Sequence, residues 1–211
     1  MGSSHAYTVI DVETTGLDPA RDRIVELALV LLDADGHELG GFDTMVDPGS
    51  VHGAREIHRL APEALALAPA FIEVAGEVAS VLQGSTLVAH YAKFDLSFLH
   101  AEFDRAGMPL PELGSICTIE AARAAGLAGP YGLDSLAGRV GIELGTAHEA
   151  LADARACAEL FRLLLATGRI DPPELTRSRH VRPAGAGFPP ASVGPPTDAG
   201  VSRARSRRAV G

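Results

Sequence analysis

The sequence predicts an α/β fold built on a mixed sheet, and three observations carry that reading. Apolar runs separated by short polar turns open the chain, the pattern of an antiparallel meander. Further on, short apolar segments alternate with stretches of helical period, a pattern that adds strands in parallel. A length of 211 residues with 46% hydrophobic content supports one domain of ordinary size with a sizeable core.

Strands are expected near 6–12, 23–32, 37–46, 86–90 and 115–118, and helices near 70–83, 94–106, 118–125, 133–140 and 147–166. The turns Gly16–Asp22 and Asp33–Gly36 are short enough to pair the first three strands in antiparallel order. Leu87-Val88-Ala89 is a short strand running into a helix whose apolar stripe is Phe94, Phe98 and Leu99. Thr146 and Glu149 have the spacing of a capping box, opening a last helix with a buried side of Leu151, Ala154, Ala158, Phe161 and Leu165.

The chemistry begins at Ile10-Asp11-Val12-Glu13-Thr14-Thr15-Gly16-Leu17. Side chains two apart on a strand share a face, so Asp11 and Glu13 point into one space at the strand's end. Two carboxylates there repel unless a cation or a proton intervenes, which outlines a divalent-metal site; a solvated strand end is the plain alternative. Asp95 falls in the first turn of its helix beside the apolar stripe, where favouring the helix dipole is an alternative to a metal role. His148 and Asp153 lie five apart, roughly 140° around a helix, and cannot share one ridge. That argues against paired ligation of zinc, which asks for spacings of three or four. Asp153 can face the site while His148 leans in from the side, although a histidine before a helix also serves as a surface or capping residue.

Asp11, Glu13, Asp95, His148 and Asp153, in this order and in these contexts, resemble the DEDD superfamily of 3′-to-5′ exonucleases, including its proofreading members in bacterial replicative polymerases. Histidine rather than tyrosine before the last Asp marks the histidine subclass. The similarity covers about residues 7–166 and extends to Ile57–Pro62 and Leu133–Leu136. It implies a ribonuclease H-like fold, a five-stranded mixed sheet with helices on both faces. It also implies two Mg²⁺ ions, for which Mn²⁺ can substitute, held by Asp11, Glu13, Asp95 and Asp153, with His148 as general base. Asp11 would bridge both ions, Glu13 and Asp153 would hold the nucleophile-side ion, and Asp95 would serve the second. By the same resemblance Thr14, Thr15, Leu17, His90 and Tyr91 are expected to contact substrate.

The chain departs from the pattern at two positions. Tyr91 stands where many relatives have Asn, and Arg59 replaces a frequent Gly. Tyrosine lacks an amide's paired donor and acceptor, but it can stack a base or hydrogen bond a phosphate. Arg59 and the single lysine, Lys93, could each hold a phosphate or simply be solvated.

Composition divides the chain into an exonuclease domain over 1–170 and a Pro/Gly/Arg-rich tail over 171–211, read as disordered. Residues 176–211 carry seven Arg and one Asp, a formal +6, leaving −15 for residues 1–175 out of the total of −9. An acidic body cannot track long nucleic acid by a basic stripe, so it is expected to act on ends. The tail could add a salt-sensitive tether. No signal-peptide pattern and no membrane-spanning run is read, Met1–His5 resembles an added leader outside the fold, and a cytoplasmic location is expected. Cys117 and Cys157 have no metal-ligand spacing and are expected to stay unpaired. The function expected is 3′-to-5′ hydrolysis of single-stranded nucleic acid from its 3′ end to nucleoside 5′-monophosphates, DNA favoured, with a DNA polymerase or another replication or repair protein as candidate partner. RNA 3′-end trimming, short-oligonucleotide hydrolysis, and a non-catalytic end-binding or polymerase-docking role are the alternatives.

Overall fold

A computed structural model of the chain describes residues 5–49, 53, 59–145 and 149–168. Thr146, His148, Ile57, His58 and the whole tail from 171 lie outside the described residues. The five strands are β1 (Tyr7–Thr14), β2 (Ile24–Leu32), β3 (Glu38–Met45), β4 (Thr86–Ala89) and β5 (Ser115–Cys117), in the spatial order β3-β2-β1-β4-β5. The first three pair antiparallel, and β4 and β5 add in parallel, giving the mixed sheet the sequence predicts.

Among the described residues there are six helices: α1 (Pro62–Leu65), α2 (Phe71–Leu82), α3 (Ala92–Ala106), α4 (Thr118–Ala124), α5 (Leu133–Val140) and α6 (Ala150–Leu165). They cover both faces of the sheet. On one face Ile10, Val12, Leu27, Leu29 and Leu31 pack against Phe71, Ala75, Val78 and Leu82 of α2 and Phe98, Leu99 and Phe103 of α3. On the other, Val9, Ala28, Val30 and Val88 meet Ala150, Ala154, Cys157 and Phe161 of α6. Behind α6, Leu160 and Leu164 pack on Ala121 and Ala122 of α4 and Leu136 of α5. β2 lies between β1 and β3 and is buried on both faces, so it reads as a continuous apolar run interrupted only by Glu26. Full burial of each large side chain in these layers stabilises by about 1.5–3 kcal/mol.

Four local expectations need correction. The single turn α1 was not foreseen, since four residues give no period to read. α6 starts at Ala150 with Glu149 as N-cap and no side-chain cap hydrogen bond, so Glu149 is three positions too early for the capping box. The buried side of α6 is broader than foreseen, taking in Cys157, Leu160 and Leu164, while Leu151 and Leu165 are half-buried. His5 is not outside the fold: its Nε2 donates to the Val81 carbonyl at 2.8 Å. Both cysteines are free, and no helix among the described residues is long and apolar enough to cross a membrane.

Candidate active site

The strand period puts Asp11 and Glu13 on the same face as Val9, turned toward α6. β4 ends at Ala89, two positions short of the level of Val12, and Asp95 stands beside the Val12 N–H that β4 leaves uncovered; this N–H and Asp95's own favour the charged carboxylate. Asp95 is 4% exposed and sits within the buried stripe of α3, with Ala92, Phe98, Leu99 and Glu102, not beside a stripe led by Phe94. From the opposite side α6 brings Asp153 in its first turn. The ligand atoms of Asp11, Glu13 and Asp153 all lie within 4.8 Å of one another. Two strand positions and two helix starts thus converge at one end of the sheet.

The electrostatics are those of a site prepared for cations. Asp11 is held well above the usual carboxylate range, first by burial and then by the charges of Asp95, Asp153, Glu13 and Glu26. Burial, with Glu26 and Asp153 behind it, lifts Glu13 to about 7. Burial lifts Asp95 to about 8 against the two backbone hydrogen bonds that favour its charge. Without a cation the cluster keeps protons. An all-oxygen, all-carboxylate donor set is chemically matched to hard divalent ions such as Mg²⁺ and Mn²⁺.

The turn after β1 is locked by one side chain. The Asp22 carboxylate accepts from Thr15 Oγ1 at 3.2 Å and from the Asp18 N–H at 2.9 Å, while Thr15 Oγ1 accepts the Arg23 N–H at 3.0 Å. A Cβ at Gly16 would run into that same carboxylate, which is why glycine stands there. Thr14 Oγ1 donates to the Gly16 carbonyl at 2.6 Å. Both threonine side chains are therefore buried in the turn, whereas Leu17 is 81% exposed and free to meet a ligand.

His90 is engaged by protein groups through both ring nitrogens. Its Nε2 donates to the Tyr131 carbonyl at 2.8 Å, which makes Nδ1 the acceptor for the Thr118 hydroxyl, also at 2.8 Å. Burial lowers its pKa, consistent with that neutral tautomer. Tyr91 is the N-cap of α3 in the left-handed region, at φ 75°, with its side chain 56% exposed. Lys93 and Arg59 are exposed. His148 lies outside the described residues.

Two acidic residues that the motifs did not single out take part in this arrangement, Glu26 beside the cluster and Glu102 farther along α3. Glu26 faces Glu13 across the β1/β2 ladder and accepts the Ala150 N–H through Oε2 at 3.3 Å. Glu102, 1% exposed, holds Arg23 through Nε at 2.7 Å and Nη2 at 2.9 Å and accepts the Ile24 N–H at 3.2 Å. A glutamate inside an otherwise apolar strand was the signal for the first. The second had none, because its partner lies 79 residues away.

A mixed sheet with carboxylates converging from β1, α3 and α6 defines the class of a metal-dependent exonuclease, a hydrolase of phosphodiester bonds. The family profile described as Exonuclease (RNase_T) matches residues 8–161, and the chain belongs to that family. It is 34% identical over 166 residues to DNA polymerase III subunit epsilon of Treponema pallidum, spanning 76% of this chain and 77% of that protein. With DNA polymerase III PolC-type of Staphylococcus saprophyticus it shares 33% identity over 162 residues, 75% of this chain but 11% of that much longer one. Among solved structures, E. coli Exonuclease I in complex with a dA16 oligonucleotide superposes with a TM-score of 0.67 at 19% identity, covering 76% of this chain and 40% of that one. A 3′-exonuclease described in 3′-end recognition of a histone mRNA stem-loop gives 0.67 at 17% identity, covering 79% and 65%. These structures share the fold.

Proposed function

We propose that this chain is a 3′-to-5′ exonuclease of the histidine subclass that releases nucleoside 5′-monophosphates from single-stranded 3′ ends, DNA before RNA. The observation that carries the reading is the triad of Asp11, Glu13 and Asp153 with ligand atoms within 4.8 Å, backed by buried Asp95. Relatives named as DNA polymerase III subunits support the preference for DNA and make a polymerase the first partner to test.

In this reading Asp11, Glu13, Asp95 and Asp153 hold two Mg²⁺ ions, with Mn²⁺ as a substitute. The ions supply, when bound, a water activated for attack and charge stabilisation at the leaving oxygen. Leu17 and Tyr91 border the terminal nucleotide. Thr14 and Thr15 shape the backbone turn it rests on, and His90 positions the β4/α3 junction from behind. His148 takes the proton of the attacking water. With −15 on residues 1–175, the body recognises an end rather than a length of strand.

The test is product analysis on matched 5′-labelled DNA and RNA oligonucleotides with Mg²⁺ or Mn²⁺. A ladder shortening from the 3′ end, faster on DNA, is expected; binding without turnover would leave an end-binding module, and faster RNA trimming would reverse the preference. His148→Ala should lower turnover by about 10²–10⁴ and remove a histidine-like step from the pH–rate profile. An unchanged rate would make it a bystander, and lost metal affinity in calorimetry would make it a ligand.

A further inference from the structure

Glu26 is not among the four carboxylates of the motif pattern, yet it is placed where it can govern one of them. It lies on β2 directly opposite Glu13 in the β1/β2 register, so the ladder that sets Glu13 also sets Glu26. Its Oε2 receives the N–H of Ala150, the first residue of α6. The first N–H groups of a helix have no partner within the helix, and Ala150 is fully buried, away from water. The N-cap, Glu149, supplies no side-chain cap. A strand residue 124 positions earlier supplies the acceptor instead, and an anion suits the positive end of the helix dipole.

We propose that Glu26 is a positioning residue for the metal site: it fixes the depth and rotation of the first turn of α6 against β2, so that Asp153 meets Asp11 and Glu13. The first turn also carries the N–H groups of Ala152 and Asp153 on the Glu149 carbonyl, at 2.9 and 3.1 Å, bonds that travel with the helix. Ala150 and Ala154 pack on the sheet, and Arg155 reaches Glu38 of β3 at 3.3 Å from an exposed position. The bond from Ala150 to Glu26 adds to these a buried tie between the backbone of the helix start and β2. It is anchored one strand away from Glu13, so a single register aligns ligands from two distant parts of the chain. A displacement of about 1 Å in a catalytic constellation can cost 10²-fold in rate, which makes such an anchor consequential for turnover even where the fold tolerates its loss.

The inference rests on the exonuclease reading for its effect on rate, and on the structure alone for the tether. Glu26→Ala removes the acceptor; Glu26→Gln keeps an acceptor oxygen and discards the charge. In the full-length protein, Glu26→Ala is expected to speed amide hydrogen exchange at Ala150 at least tenfold, leaving the last turns of α6 as protected as before. On a 5′-labelled single-stranded DNA oligonucleotide with Mn²⁺ it should lower kcat by ten- to a hundredfold with KM little changed. Glu26→Gln should restore both readouts most of the way. Unchanged Ala150 exchange in Glu26→Ala would overturn the tether. A lowered melting temperature with kcat intact would overturn the positioning role, since that is packing alone. Equal kcat losses in the Ala and Gln variants, with Ala150 still protected in the Gln variant, would overturn positioning in favour of a charge role. A wild-type protein inactive on every oligonucleotide would refute the exonuclease reading instead, while the exchange at Ala150 would still decide the tether.

Discussion

Tyr91 and Arg59 are the two non-glycine residues at positive φ among the described residues, at 75° and 58°. They are also the two positions where the sequence departs from the pattern it resembles, with Tyr for a frequent Asn and Arg for a frequent Gly. Glycine and asparagine are the residues that accept the left-handed region with least strain. The departures therefore place bulk on backbone shaped for small residues. Tyr91→Asn should raise unfolding free energy by about 0.5–1 kcal/mol by relieving that strain. If the exposed ring stacks on the terminal base, the same change should raise KM several-fold. Denaturant melts and steady-state kinetics check the two halves; unchanged KM would remove Tyr91 from the substrate surface. Asp11 presents the opposite case, a residue strained by charge instead of shape. Asp11→Ala should abolish hydrolysis and the Mn²⁺-induced rise in melting temperature, while metal-free stability holds or increases because one of several mutually repelling carboxylates has gone. A variant that keeps the full metal-induced shift would remove Asp11 from the ligand set.

At the scale of elements, the Arg23–Glu102 pair joins the entry of β2 to α3, the helix that carries Asp95. Both Glu102 oxygens are engaged by Arg23, and one also takes the Ile24 N–H, so truncation leaves a charge and a backbone donor without their acceptor. Glu102→Ala should destabilise by about 3 kcal/mol, the low end for a broken buried pair because Arg23 is partly exposed. Urea denaturation measures it, and a loss under about 1 kcal/mol would reduce the pair to a surface contact. Neither this pair nor the Glu26 tether could be read from the sequence, because each depends on which distant residues a strand register or a helix packing brings together. The strands themselves were legible. β1 and β2 are apolar runs ended by polar turns, and the i, i+2 spacing placed Asp11 and Glu13 on one face correctly. What failed was local and short: the one turn of α1 has no period, and a Thr-x-x-Glu spacing before α6 looks like a capping box whether the helix starts before or after the glutamate. Asp95 was located in the right turn but off the buried stripe, since a carboxylate in a core stripe makes sense only once the N–H of Val12 is seen beside it.

For the molecule as a whole, the site charges set how stability and metal affinity depend on pH. The chain carries −9 overall and −15 over residues 1–175, so a nucleic acid gains little from its surface, and cations at the carboxylate cluster must offset repulsion as well as serve chemistry. Glu13 is raised from 4.5 to about 7, Asp95 from 3.8 to about 8, and Asp11 and Glu26 are raised too, burial being the first cause in each. The metal-free folded state therefore keeps protons that the unfolded chain releases near pH 4. Stability contributed by these groups is complete below their unfolded values and is lost as pH rises through the folded ones. The melting temperature of the metal-free protein should accordingly fall between pH 5 and about pH 8. Divalent ions compete with those same protons, so Mn²⁺ affinity should climb across that window and level off above it. Saturating Mn²⁺ should then flatten or reverse the decline. Melting curves at half-unit pH steps, with chelator and with Mn²⁺, check both limbs. A metal-free melting temperature that stays level or rises from pH 5 to 8 would mean that the cluster is already ionised in acid, and a Mn²⁺ shift equal at both pH values would separate metal binding from these carboxylates.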